Sequence, residues 1–137
     1  MGATEDALAC FDREIELNPT RPSAWYVKGK DLATLGRYDE AAGCLERAVE
    51  LNPGNADAWV LRGDVLSELG RNSEAIDCYR CALEIDPGQS GSWFGLGMIL
   101  VRASRFDAAI ECFKEAQSLG HPGSTAGIEG CRRILGE

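Results

Sequence analysis

The chain is poor in several things at once. It has one histidine and two methionines in 137 residues, and 14 basic residues against 22 acidic, for a net charge of -8. The shortage of positive charge excludes the basic face with which nucleic-acid binders hold phosphates. It favours solubility and a partner segment that is apolar or basic. No apolar run approaches the ~20 residues that span a bilayer, so no membrane partner is expected. Met1 to Leu8 offers neither the basic nor the apolar region of a secretory signal. The lone histidine, His121, stands beside Pro122 with no positioned partner for acid–base work, and reads as a turn residue. We expect no enzyme activity and no cofactor.

Cysteine is present but too sparse for a disulfide scaffold: six in the whole chain, against the ~8–10% typical of such frameworks. Cys10, Cys44, Cys78 and Cys112 fall 34 residues apart. Like helices of adjacent units stay at least ~8–10 Å apart, beyond the ~7 Å Cα separation that a disulfide tolerates. The ladder therefore reads as buried reduced thiols used for packing, in a reducing, cytoplasmic compartment. Cys78 and Cys81 form a CxxC, but mid-helix, away from the helix start that stabilises a thiolate. No second CxxC completes a four-ligand zinc site, so no metal is expected.

What is there is a period. Trp25, Trp59 and Trp93 are each 34 residues apart, and so are Gly29, Gly63 and Gly97. Ala41, Ala75 and Ala109 keep the step, as do Ala48, Ala82 and Ala116. Such self-similarity means a stacked array in which each unit buries its apolar face on its neighbours. Within a unit the apolar residues recur at steps of three and four, twice over. Trp25, Leu32 and Leu35 mark one helix, closed by Gly36; Tyr38, Ala41, Leu45, Ala48, Val49 and Leu51 mark the next, closed by Asn52-Pro53-Gly54. The fold class is all-α, with units at 22–55, 56–89 and 90–123.

The ends differ from the middle. Thr4 to Leu17 carries Ala7, Phe11 and Leu17 in register with Ala41, Leu45 and Leu51. It reads as the second helix of a unit whose first helix is missing, a half-unit at 1–21. Leu8, Phe11 and Ile15 would pack on that helix. We expect them to lie exposed or to cover a neighbouring molecule, either as a homodimer or because the chain is cut from a longer array. Ser124 to Leu135 reads as a closing helix at 124–137, its outer side carrying Glu129, Arg132 and Arg133.

These residues resemble the tetratricopeptide repeat. The first unit supplies Trp25, Gly29, Leu32, Gly36, Tyr38, Ala41, Leu45, Ala48 and Pro53; the second Trp59, Gly63, Leu66, Gly70, Ala75, Tyr79, Ala82 and Pro87; the third Trp93, Leu96, Gly97, Leu100, Phe106, Ala109, Phe113 and Ala116. Three copies agree in phase over nearly the whole chain. Lys28 and Arg62 depart from the pattern's Leu, and we expect their stems to cover apolar surface while the charge reaches water. The resemblance implies a right-handed superhelical solenoid of antiparallel helix pairs and a non-catalytic scaffold for protein partners. The alternative is a regulatory or targeting segment of a larger protein whose chemistry lies elsewhere.

In this family the first helix of each unit lines a concave groove that holds peptides. Carried onto this chain, the lining is Ser23, Tyr26, Lys30 and Ala33, then Asp57, Val60, Asp64 and Ser67, then Gly91, Phe94, Gly95, Met98 and Val101. Tyr26, Val60, Phe94, Met98 and Val101 form an apolar strip flanked by Lys30, Asp57 and Asp64. The family's chaperone-tail clamp needs cations and asparagines where Tyr26, Lys30, Leu61, Gly91 and Gly95 stand, so that specificity is not expected. Nor is the sugar-transferase type, whose asparagine ladder is replaced by Val27, Leu61 and Gly95. Gly91, Gly95 and Gly97 share one helix at ~1 kcal/mol each relative to Ala. No strand precedes them, which argues against a phosphate loop. Gly97 fits close helix packing; Gly91 and Gly95 are expected to open a notch for a partner's side chain.

Overall fold

The computed structural model describes residues 3–137. Among them are eight helices and no strands: α1 (Ala3–Leu17), α2 (Pro22–Thr34), α3 (Tyr38–Leu51), α4 (Ala56–Glu68), α5 (Asn72–Ile85), α6 (Ser90–Arg102), α7 (Phe106–Ser118) and α8 (Ser124–Leu135). α2 with α3, α4 with α5, and α6 with α7 form antiparallel hairpins; α1 lies on α2, and α8 on α7. The stack is a right-handed solenoid of helix pairs.

Each hairpin turns on a backbone signal. Gly36 and Gly70 sit in the left-handed region at φ +76°, where a Cβ is penalised. Gly36 N–H donates to Ala33 O (3.0 Å) and Arg37 N–H to Leu32 O (2.9 Å), which satisfies carbonyls that the helix end leaves free. The third unit makes the same turn with Ser104, at φ 59°, the one non-glycine residue at positive φ among the described residues.

Within a hairpin, a glycine on the first helix admits a large side chain from the second. A Cβ on Gly29 would stand 2.8 Å from Leu45 Cγ; on Gly63, 2.8 Å from Tyr79 Cε1; on Gly97, 2.6 Å from Phe113 Cε1. Ala41, Ala75 and Ala109 are fully buried beside them. Between units the tryptophans act as clasps. The indole N–H of Trp25 donates to Pro19 O, and that of Trp59 to Pro53 O, each at 2.8 Å. Trp93 makes no such bond among the described residues.

The open face of α1 is only in part the one expected. Leu8 is buried, 5% exposed, in the core shared with Leu32, Ala42 and Leu45, because that side of α1 meets α2. Phe11 and Ile15 are half-buried. The side without a neighbour carries Ala7, Phe11 and Glu14, and Cys10 is exposed rather than packed. The expected role of the basic residues also needs correction. Lys28 Nζ pairs with Asp12 at 2.5 Å. Arg62 lies over Trp59, 6.0 Å from the ring centroid, with Nη1 3.6 Å from Cys78 Sγ and Nε buried. Their heads are held by protein partners at the clefts between units, and both side chains remain partly exposed.

Candidate functional site: the concave groove

The contacts between units identify the inner side of the solenoid. First helices touch one another along the stack, α2 with α4, α4 with α6, and α6 with α8, whereas α3, α5 and α7 do not. The first-helix side is therefore the short, concave one. A hollow of about 350 Å³ opens there across α2, α4 and α6. Of the residues expected on this face it gathers Ala33, Asp64, Ser67, Phe94, Gly95 and Met98. Tyr26, Lys30, Asp57, Val60, Gly91 and Val101 lie outside it. Tyr26 and Val60 pack on the main core, Val101 packs on the α7–α8 cluster, and Asp57 accepts from Gln89 Nε2 at 3.0 Å.

Several of these residues have other tasks. Ser67 is buried, 7% exposed, and is held by Arg102, whose guanidinium donates to Ser67 Oγ and, at 3.3 Å, to Ser67 O. It braces α4 against α6 and is not a free contact. Phe94 stacks on His121, with ring centroids 4.4 Å apart and 21° between planes, and tilts against Phe113 at 5.5 Å. The turn histidine thus seats Phe94 at the edge of the hollow. Met98 is the large apolar side chain left most open here, at 41% exposure.

Gly95 does not open a notch. A Cβ there would stand 2.4 Å from Tyr79 Cζ and 2.7 Å from its hydroxyl. Tyr79 rises from α5 between Gly63 and Gly95, through the wall of first helices, and its hydroxyl donates to Asp64 Oδ1 at 2.5 Å. Gly91 is different: the nearest atom to its added Cβ is Val60 Cγ1, 3.8 Å away.

The electrostatics of the hollow are acidic. Desolvation by the groove walls raises the Asp64 carboxyl above its ordinary range; the bond from Tyr79 opposes this, and nearby Glu68 adds to it. Burial, then the Asp64 carboxylate, pushes the Tyr79 phenol far above its usual value, so it stays a donor. Arg102 is committed to Ser67, leaving Glu68 and the second oxygen of Asp64, whose Oδ1 accepts from Tyr79, to face an occupant. Away from the groove, burial lifts the Cys78 thiol to about 11 and raises that of Cys81, so neither is a ready thiolate at neutral pH.

Sequence reasoning missed Tyr79 and Arg102 as groove residues. Tyr79 belongs to a second helix, whose register marks it as core, and only the pairing of a tall tyrosine with an extra glycine at 95 signals its path. Arg102 is the last residue of α6, beyond the repeating pattern.

Comparison with known proteins agrees with this architecture. Two models of the tetratricopeptide repeat match, one over residues 26–90 and one over 90–119. No curated protein matches the sequence significantly. Among solved structures, the chain is similar to a crystal structure of MamA at 27% identity and TM-score 0.82, covering 86% of this chain and 69% of that one. A second crystal structure of MamA protein superposes with TM-score 0.90 at 20% identity, over 97% and 74% of the two chains. A MamA RS-1 double mutant gives 0.90 at 20% identity, over 99% and 78%. At 20% the likeness speaks for the fold alone. With the repeat models spanning residues 26 to 119 in phase with the helix pairs, the chain belongs to the tetratricopeptide repeat family.

Proposed function

We propose that this interaction scaffold holds a peptide segment in the concave hollow, without chemistry of its own. The observation that carries the reading is the meeting of an open apolar surface, Met98 with Leu61 and the edge of Phe94, and two carboxylates with no ion pair among the described residues, Asp64 and Glu68. A bulky apolar side chain would bury area on Met98 at roughly 25 cal/mol per Å². A lysine or arginine beside it would meet the acidic rim, in keeping with a net charge of -8. Selection from a random peptide library on the whole chain tests this. Selected peptides should carry an apolar residue next to a basic one, and Met98→Glu or Glu68→Lys should abolish their binding. Peptides without that pattern, or binding that survives both substitutions, would overturn the reading.

A second reading concerns self-association through α1. Phe11 is half-exposed where its register partners Leu45, Tyr79 and Phe113 are at most 2% exposed. If that face joins two copies, light scattering will show a dimer that Phe11→Glu dissociates; a monomer at every concentration refutes it.

A further inference from the structure

A second groove, between α5 and α7, opens on the outer side. It encloses about 500 Å³, within the range of ligand pockets. Trp93, Leu96 and Leu100 of α6 form its floor, with Ile76 and Leu83 of α5 on one wall. The register explains why it is open. Three residues after each repeated tryptophan stand Lys28, Arg62 and Leu96. At the first junction Lys28 spans the cleft to Asp12. At the second, Arg62 covers Trp59 and reaches Cys78. At the third, Leu96 is too short to do either.

The rim is altered in the same way. Arg37 and Arg71 are held by Glu40 and Glu74, three residues on, with closest contacts of 2.8 Å and 2.6 Å. Their counterpart Arg105 has Ala108 at that place and no ion pair among the described residues. Arg80 stands where earlier units have Asp12 and Glu46, and it too has no ion pair among the described residues. Both border the groove, with Glu84 as the one carboxylate lining it. In a chain of net charge -8, two uncommitted arginines beside an apolar trough form a local reversal of sign.

We propose that this outer groove binds an acidic peptide segment of a partner protein. One leucine- or phenylalanine-like side chain enters the trough, taking the place that the stems of Lys28 and Arg62 fill at the other two junctions. Flanking carboxylates meet Arg80 and Arg105, the planar donors best suited to them. The preference is opposite to that of the concave hollow, so one chain would hold two unlike segments on its two sides.

The test uses the whole chain and fluorescein-labelled dodecapeptides with a central leucine or phenylalanine, flanked by aspartate and glutamate or, in the control set, by lysine. Fluorescence anisotropy on the Met98→Glu chain, whose concave hollow no longer takes the lysine-flanked set, should show the acidic set binding at least about ten-fold more tightly than the basic set, with affinity falling as salt rises. Leu96→Arg gives the third junction the residue that closes the second, and should weaken binding by about ten-fold or more. Arg80→Ala with Arg105→Ala, both on the exposed rim, should do the same without touching the floor. Met98→Glu, on the concave side, should leave this binding unchanged, which separates its failure from that of the inner groove. No preference for the acidic set, or affinity unmoved in both Leu96→Arg and the double arginine variant, would overturn the proposal.

Discussion

Glu14 and Ala48 occupy the same place in successive units, and their surroundings differ completely. Ala48 is 2% exposed between α3 and its neighbours; Glu14 lies in the open on α1. Ala7 and Phe11 are half-buried where Ala41 and Leu45 are fully buried. A repeat position therefore has no fixed burial of its own. It specifies which neighbour a residue would meet, and its energetic demand exists only where that neighbour is present.

Exchanging the two residues breaks the comparison most directly. Ala48→Glu buries a charge with no partner and should cost about 3–5 kcal/mol in urea unfolding, whereas Glu14→Ala should change stability by no more than about 0.5 kcal/mol. Equal effects would mean that α1 is packed as the inner helices are.

Glycines on one helix give the next test. Gly95→Ala drives a methyl into the Tyr79 ring and should destabilise by about 1–3 kcal/mol. Gly91→Ala meets only Val60 at 3.8 Å and should stabilise by up to ~1 kcal/mol through helix propensity. Thermal denaturation of the two variants should move in opposite directions.

Ser104 sharpens the comparison of turns. Gly36 and Gly70 hold the left-handed conformation freely, while Ser104 holds it against its own Cβ. Ser104→Gly should recover about 1 kcal/mol, read as a higher urea midpoint with unchanged slope. Gly70→Ser should lose a similar amount.

The smallest expected effect is pH-dependent. Because the folded chain raises the Asp64 carboxyl, it binds that proton more tightly than the unfolded chain. The group's stabilising contribution is thus present at acid pH and is lost as pH rises through the raised value. Asp64→Asn keeps an acceptor for Tyr79 without the charge. It should be the more stable protein at neutral pH, with an advantage that vanishes below the carboxylate range. Parallel unfolding curves at pH 3 and pH 7 check the sign.

Much of the fold was legible because helix faces and unit boundaries are written in side-chain type and step. Ser124 to Leu135 is a helix in both readings, and the glycines at 29, 63 and 97 do admit the large residues of the second helix. The site was less legible, because register assigns a residue to a helix face but not to the neighbour it meets there. Ser67 lies on the concave side yet belongs to Arg102; Gly95 lies there yet makes room for Tyr79. Leu8 was misplaced for a related reason: it was grouped with Phe11 on the open side of α1, whereas its own side has a partner.

The clasps between units have a spectroscopic consequence. Trp25 and Trp59 each give their indole proton to a proline carbonyl, and Trp93 instead floors a trough on the outside. Each junction is thus labelled with its own natural chromophore. The three indole N–H resonances should be separate in a proton–nitrogen correlation spectrum, with that of Trp93 exchanging fastest with deuterium. A ligand seated on the outer side would move that one signal and leave its two siblings where they were, so the array records which of its joints is being touched.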